Sequence, residues 1–285
     1  MSVFRPASFG RRECDGQISV TVSVKNRGER AMTTDPEFAR LLAAAEAYTM
    51  EGWDWSALEG RYVEAGPPWD YRAEVLALLP TAHTLLDMGT GGGEFLSSLA
   101  PLPPECWATE AYPPNVPIAA ARLEPLGVHV VAVEEDARLP LPDAHFDLVI
   151  NRHESFDPHE VRRILRPGGL LLTQQVGGQD NVELNQALQE TVTLSYGLWD
   201  DTEAARQLRD AGLEVLDERE AFSPGQFVDI GAVVMYLRIT PWQIDGFDVA
   251  AYRERLLALH RRMQAEGGLE TRVHRFFVAA RRPAG

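Results

Sequence analysis

The sequence predicts an α/β fold built on a doubly wound, mostly parallel sheet, and three observations carry that expectation. Apolar runs alternate with helical periods in five successive strand–helix steps between about residues 84 and 176. A glycine turn, Asp87-Met88-Gly89-Thr90-Gly91-Gly92-Gly93, joins the first run to a helix start at Glu94. Polar residues stand where successive runs end: Asp87, Glu110, Asp136 and Asn151. Right-handed crossovers bring such ends to one rim of a parallel sheet, where ligands bind near the switch in strand order.

Residues 1–34 are expected as a disordered tail, although Ile18, Val20, Val22 and Val24 alternate like a short strand without an evident partner. Met32 stands just before a helix start at Thr33-Thr34-Asp35-Pro36-Glu37, which raises the expectation of an alternative chain start there. Residues 35–79 read as a helical cap. Pro36 opens a helix running to Met50, with Phe38, Leu41, Leu42, Ala45 and Tyr48 at helical spacing. An aromatic stretch follows, with Trp53, Trp55, Tyr62, Trp69 and Tyr71 around Gly66-Pro67-Pro68. These rings are expected first of all to pack the cap on the core. Residues 72–79 form a short amphipathic helix, and 80–285 make up the main domain.

Within that domain, Thr84, Leu85 and Leu86 begin a buried strand, and residues 106–109 form the next. Asn115 is placed to cap a helix over 116–126 that ends at Gly127. A third strand spans 128–133, and a fourth ends at Asn151. Asp157-Pro158-His159-Glu160 reads as a capping box for a helix to Leu165. Arg166-Pro167-Gly168-Gly169 ends that helix before a fifth strand over 170–176. A polar helix over 181–190, a helix capped at Asp200, and strands over 213–222 and 271–280 complete the chain. Residues 223–270 between those strands are an expected insertion with a helix over 249–263.

The glycine turn discriminates between ligands. A dinucleotide fingerprint, G-x-G-x-x-G from Gly89, would need glycine where Glu94 stands. Counted from the acid, Asp87-x-Gly89-x-Gly91-x-Gly93 resembles the first motif of the class I methyltransferases. Leu139-Pro140-Leu141-Pro142-Asp143-Ala144-His145-Phe146-Asp147-Leu148-Val149-Ile150 and the Leu165–Leu172 stretch are similar to further hallmarks of that family, its type 11 group above all. The resemblance implies a Rossmann-like, seven-stranded sheet with an antiparallel last strand, and S-adenosylmethionine as cofactor. It implies cofactor contacts from Asp87, Gly89, Thr90, Gly91 and Gly93, and an insertion lying over the substrate side. Glu110, 23 positions past Asp87, would take the ribose hydroxyls. Asp136, or its near alternative Glu135, would reach the adenine amino group, Ala137 N–H the ring, and Asn151 the cofactor from the fourth strand.

Methyl transfer from a sulfonium mainly requires alignment, and a hydroxyl acceptor also requires a base. His153 and Glu154 follow the fourth strand and are the candidate catalytic residues. The alternative is that His153 orients the loop while Glu154 neutralises Arg152. The loop departs from the Asn-Pro-Pro-Tyr-like residues of amino-group methylases, and no zinc module of four cysteines is present, which favours a small-molecule acceptor. Gln174 and Gln175 are further candidates to hydrogen-bond substrate.

Composition narrows the field. A net charge of −15 disfavours a nucleic-acid partner, because phosphate neutralisation dominates such binding. No apolar run approaches the ~20 residues of a membrane span, and Met1–Gly10 lacks a signal-peptide core. Cys14 and Cys106 alone give neither a metal site nor a disulfide framework, consistent with a cytoplasmic chain, monomeric or homodimeric. Two readings compete with a small-molecule methyltransferase: an RNA methyltransferase using Arg253, Arg255, Arg261 and Arg262, and a protein that binds S-adenosylmethionine without turnover.

Overall fold

A strand covered on both faces is mostly apolar, and Thr84–Met88, which carries Leu85, Leu86 and Met88, is buried at every position. That strand is the middle one of the sheet's five parallel strands. The computed structural model describes residues 35–49, 55–134 and 138–284, together with Val20 and Thr21. Its strands are β1 (Val20–Thr21), β2 (Tyr62–Glu64), β3 (Thr84–Met88), β4 (Glu105–Glu110), β5 (Val128–Ala132), β6 (Phe146–Arg152), β7 (Leu165–Val176), β8 (Thr191–Val192), β9 (Glu214–Phe227) and β10 (Leu269–Arg281). The helices are α1 (Pro36–Ala47), α2 (Tyr71–Leu78), α3 (Glu94–Ser98), α4 (Val116–Leu123), α5 (Pro158–Ile164), α6 (Val182–Leu188), α7 (Asp201–Asp210), α8 (Ile230–Ile239) and α9 (Arg253–Glu266).

The main sheet runs β2-β9-β10-β7-β6-β3-β4-β5. Strands β5, β4, β3, β6 and β7 are parallel, and β10 is antiparallel to both β7 and β9. The order reverses at β3, whose two neighbours are β4 and β6, and this is the topological switch. Apolar clusters cover the two faces of the sheet. Leu86, Val149 and Phe276 belong to one, and Leu85, Leu148 and Phe277 to the other.

Several expectations need correction. The sheet has eight strands, not seven, because Tyr62–Glu64 adds to the outer edge of β9 with Tyr62 opposite Phe227. Strand β9 continues through Ser223-Pro224-Gly225 to Phe227, so only residues 228–268 separate it from β10. Proline is tolerated there because β2 ends at this point, and the Pro224 carbonyl still accepts from Ala65 N–H at 2.9 Å. The Arg166–Gly169 segment does not stand outside the strand. Strand β7 absorbs it, with a register shift against β6 between Phe146 and Leu148. Asn115 occupies the helix cap position, but its side chain makes no capping bond. Asp157 caps α5 through His159 and Glu160 N–H, yet the Glu160 carboxylate turns to Leu139 N–H at 2.6 Å instead of closing the box. Val20–Thr21 does have a strand partner, Thr191–Val192. Met32, Trp53 and Cys14 lie outside the described residues.

Residues 35–79 divide between two surroundings. Tyr71 and Val75 of α2 join the sheet core, whereas Phe38, Leu42 and Ala45 of α1 pack with Val233, Val234 and Leu237 of α8. Together with Leu256 and Met263 of α9, these form a third apolar cluster beside the ends of β9 and β10. Asp229 ties this region to the sheet. It caps α8 through Ala232 N–H at 3.0 Å and accepts from Arg61 Nη2 at 2.5 Å.

Candidate functional site

The glycine turn is built by its backbone. Gly89, Gly91 and Gly93 have φ of 69°, 63° and 81°, the left-handed region in which a Cβ is strained. A Cβ on Gly89 would stand 2.3 Å from Glu154 Cγ, and one on Gly93 would stand 2.7 Å from Leu123 Cγ. The first glycine therefore lets the β6 loop close over the turn, and the third lets α4 pack against it. Thr109 of β4 latches the turn, its carbonyl accepting from Thr90 N–H at 2.9 Å and its hydroxyl from Gly89 N–H at 3.3 Å.

Two carboxylates close adjacent strands beside this turn. Asp87 is buried and accepts from the Thr90 hydroxyl at 2.8 Å. Loss of hydration pushes its carboxyl up to about 7, with the Thr90 bond and the Arg152 charge acting against that rise. Glu110 is also buried, and its pKa is likewise raised by desolvation. Its Oε1 accepts from Tyr112 N–H at 2.7 Å, which aims the carboxyl group back over the end of β4.

Asn151 lies level with Met88 of β3 and Thr173 of β7. Its side chain is fully buried, with Oδ1 accepting from Thr173 Oγ1 at 2.9 Å and Gln175 Nε2 at 2.5 Å. Its Nδ2 is buried without a hydrogen-bond partner. Tyr71 OH donates to the Asn151 carbonyl or to that of Leu172, each 3.0 Å away, and accepts from Asn151 N–H at 3.2 Å. Asn151 thus organises the strand ends from inside. Asp136, Ala137 and the alternative Glu135 lie outside the described residues.

Beyond Asn151 the chain turns sharply. His153 adopts φ of 62°, unusual for a residue with a side chain, and its N–H donates to Gln174 O at 2.8 Å. The residue is exposed, yet protein surrounds its ring closely enough to withdraw water. Desolvation and then the Arg275 and Arg152 guanidinium groups hold its pKa well below the ordinary range. Exposure tempers the first effect, but the two cations act in the same direction. His153 is therefore a neutral imidazole at pH 7. Glu154 packs on Gly89 and accepts from Ser155 N–H at 3.1 Å. Arg152 lies over the Phe95 ring at 5.1 Å and acts on Asp87 through its charge, without a close carboxylate contact among the described residues. Gln174 and Gln175 are both engaged by the protein. Gln174 bridges Trp69 and His153, and Gln175 reaches Asn151 and the Glu154 carbonyl.

Sequence reasoning missed a buried ion pair near His153. Arg275 of β10 bonds Asp180 at 2.6 Å and Glu64 of β2 at 3.0 Å. Desolvation opposes its charge, but the two carboxylates prevail and raise its pKa. Tyr62, Asn181 and Tyr236 complete this network around Asp180. The signal available was an arginine directly heading an apolar run, Arg275-Phe276-Phe277-Val278. The α9 arginines are exposed, and Arg261 acts on Asp35 through its charge. Arg253 stacks on Phe38, Arg255 bonds Glu190 and Arg262 reaches Glu266. Among the described residues, no cluster of His, Cys, Asp and Glu could hold a metal, and no helix is long and apolar enough to cross a membrane.

The glycine cradle and the donor set at this rim suit an adenosyl ligand with an amino-acid tail. Two acidic groups end adjacent strands, three glycines bare the backbone between them, and a guanidinium stands at the outer side. Known proteins agree. Residues 86–173 match a family model described as a methyltransferase domain, of the type 11 group. The uncharacterized methyltransferase YcgJ of Bacillus subtilis (strain 168) is 29% identical over 94 residues, 32% of this chain. The match spans only 37% of that relative's length. The crystal structure of YcgJ gives a TM-score of 0.55 at 18% identity, covering 75% of this chain and 99% of that one. A functionally unknown protein from Deinococcus radiodurans R1 gives 0.55 at 16% identity, over 78% of this chain and 90% of that one. Those two structures establish the shared fold. The matched family model and the Asp87–Gly93 turn mark residues 86–173 as a methyltransferase domain, and that family implies S-adenosylmethionine as its cofactor.

Proposed function

We propose that the chain moves a methyl group from S-adenosylmethionine to a small-molecule nucleophile. The cofactor supplies a methyl carbon already activated by its sulfonium, so the protein's share is alignment and exclusion of water. Asp87 and Glu154 face the glycine turn from two sides and would hold the cofactor's ammonium group. Glu110 would take the ribose hydroxyls, and the bared backbone of Gly89, Thr90, Gly91 and Gly93 would lie along the cofactor. Asp136 and Ala137 keep their proposed place at the adenine, and Asn151 acts by ordering the strand ends. His153 would meet the acceptor. Glu154, packed on Gly89, is better placed for the cofactor than for a base. A cytoplasmic monomer or homodimer belongs to the same reading.

The observation that carries this proposal is the meeting of Asp87, Glu110 and the glycine turn at the switch in strand order, with the Arg152 charge acting on both Asp87 and His153. Against an RNA substrate stand the net charge of −15 and the carboxylates that already pair Arg255 and Arg262 of α9. The test is calorimetry with S-adenosylhomocysteine alongside methyl-transfer assays on a metabolite panel. Micromolar cofactor binding with turnover of one small acceptor is expected. A chain that fails to bind the cofactor product, or that methylates only RNA, would refute the proposal.

A further inference from the structure

The donor and acceptor roles along Trp69, Gln174 and His153 are forced. An indole N–H can only donate, and Trp69 Nε1 lies 2.8 Å from Gln174 Oε1. That contact settles which end of the amide is the carbonyl. The Gln174 NH2 group then faces His153 Nε2 at 3.1 Å. An amide NH2 has no lone pair to offer, so His153 Nε2 must be the acceptor. A neutral imidazole carries one N–H, which leaves the proton on Nδ1. The residue is exposed, and Nδ1 has no partner among the described residues.

We propose that Trp69 and Gln174 are positioning residues that lock His153 in the Nδ1–H tautomer, so that it serves the methyl acceptor as a hydrogen-bond donor and not as a proton-abstracting base. The proposal rests on the methyl-transfer reading above and deepens it. Moving the proton to Nε2 would set two N–H groups face to face. The amide cannot turn to relieve them, because its NH2 would then confront the Trp69 N–H. The backbone bond from His153 N–H to Gln174 O at 2.8 Å holds the two residues in register.

The tautomer restricts the acceptor. In the transfer, the nucleophile forms a bond to the methyl carbon while the carbon–sulfur bond breaks, its electron pair staying on sulfur. A protonated hydroxyl would have to shed its proton, and the locked His153 presents it no lone pair. The favoured acceptor therefore carries an oxygen that is already ionised, as a carboxylate or an enolate does. Such an oxygen accepts from Nδ1–H and is attracted by Arg152, the nearby guanidinium without a close carboxylate contact among the described residues.

The test is long-range proton–nitrogen NMR of the full chain labelled with 15N-histidine near pH 8, with His153 assigned by its loss in His153→Gln. A neutral histidine side chain in water prefers Nε2–H, so an unconstrained surface histidine would show that form. The parent is expected to show N–H at Nδ1 and a bare Nε2. Gln174→Glu supplies an acceptor and should transfer the N–H to Nε2, and Trp69→Phe, which frees the amide, should shift the population the same way. A parent in the Nε2–H form, or an Nδ1–H form that survives both substitutions, would overturn the lock. Calorimetry of the parent with S-adenosylhomocysteine tests the underlying reading separately: no binding there sinks methyl transfer and leaves the tautomer result standing.

Discussion

The parallel half of the sheet and the cluster of α1, α8 and α9 solve the same problem of burying apolar faces by opposite means. From β3 to β7, each strand lies beside one that is near in sequence, and every crossover is a short helix or loop. In the other region, α1 packs on α8 about two hundred residues later, and Arg61 reaches Asp229 across 168 positions. The first region is assembled from local periodicity. The second exists only once the ends of the chain meet, so its apolar stripes have no partner that sequence spacing reveals. Function divides along the same line. The proposed cofactor residues sit on the local half, while Arg275, which acts on His153, and its partner Glu64 come from strands distant in sequence.

Substitutions can sharpen that division, the largest effect coming from the turn. Gly91→Val places a branched side chain at φ of 63° and should abolish S-adenosylhomocysteine binding in calorimetry while melting remains cooperative. Binding equal to the parent's would remove the glycine turn from the site. In the distant cluster, Leu42→Ala should cost about 2–5 kcal/mol in denaturant unfolding with little change in cofactor affinity, because Leu42 is 1% exposed yet belongs to α1. A matching loss of affinity would show that the two regions act as one.

Asp87 links the local half to pH. Its carboxyl sits at about 7 in the fold, against roughly 3.9 in an unfolded chain. Between those values the native state keeps a proton that the unfolded state has lost. Stability of the ligand-free protein should therefore fall as pH rises from about 4 to about 7, and Asp87→Asn should flatten that slope. Cofactor binding should follow the opposite sign, with affinity for S-adenosylhomocysteine increasing from about pH 6 to 8 as the carboxylate forms opposite the ammonium. His153→Ala should leave that affinity intact and slow transfer by about 10- to 100-fold, the scale of one lost hydrogen bond of about 1.5–3 kcal/mol to a charged oxygen. The smallest effect expected is Asp35→Ala, which removes the α1 cap bonds to Glu37 and Phe38 N–H and should cost about 1 kcal/mol in thermal unfolding.

Much of the site was legible before any coordinates. Asp87, Glu110 and Asn151 were expected at strand ends because apolar runs announce where strands stop, and the glycines marked a turn that only bare backbone can make. The roles of neighbouring side chains were not legible in the same way. Gln174 and Gln175 looked available to a substrate, but each is engaged by a residue from another element. Alternation says which face a side chain takes, and it is silent on what stands opposite.

The sequence alone determined the alternation of strands and helices from Thr84 to Val176, the glycine turn and the rim on which a ligand would sit, because these depend on local periodicity and on the fixed hand of parallel crossovers. Only the tertiary structure decided that Tyr62–Glu64 adds an eighth strand, that α1 closes on α8, and that Trp69 reaches Gln174 beside His153. Those outcomes turn on contacts between segments far apart in the chain, where pairing is selected by the fit of packed surfaces and hydrogen-bond donors with acceptors.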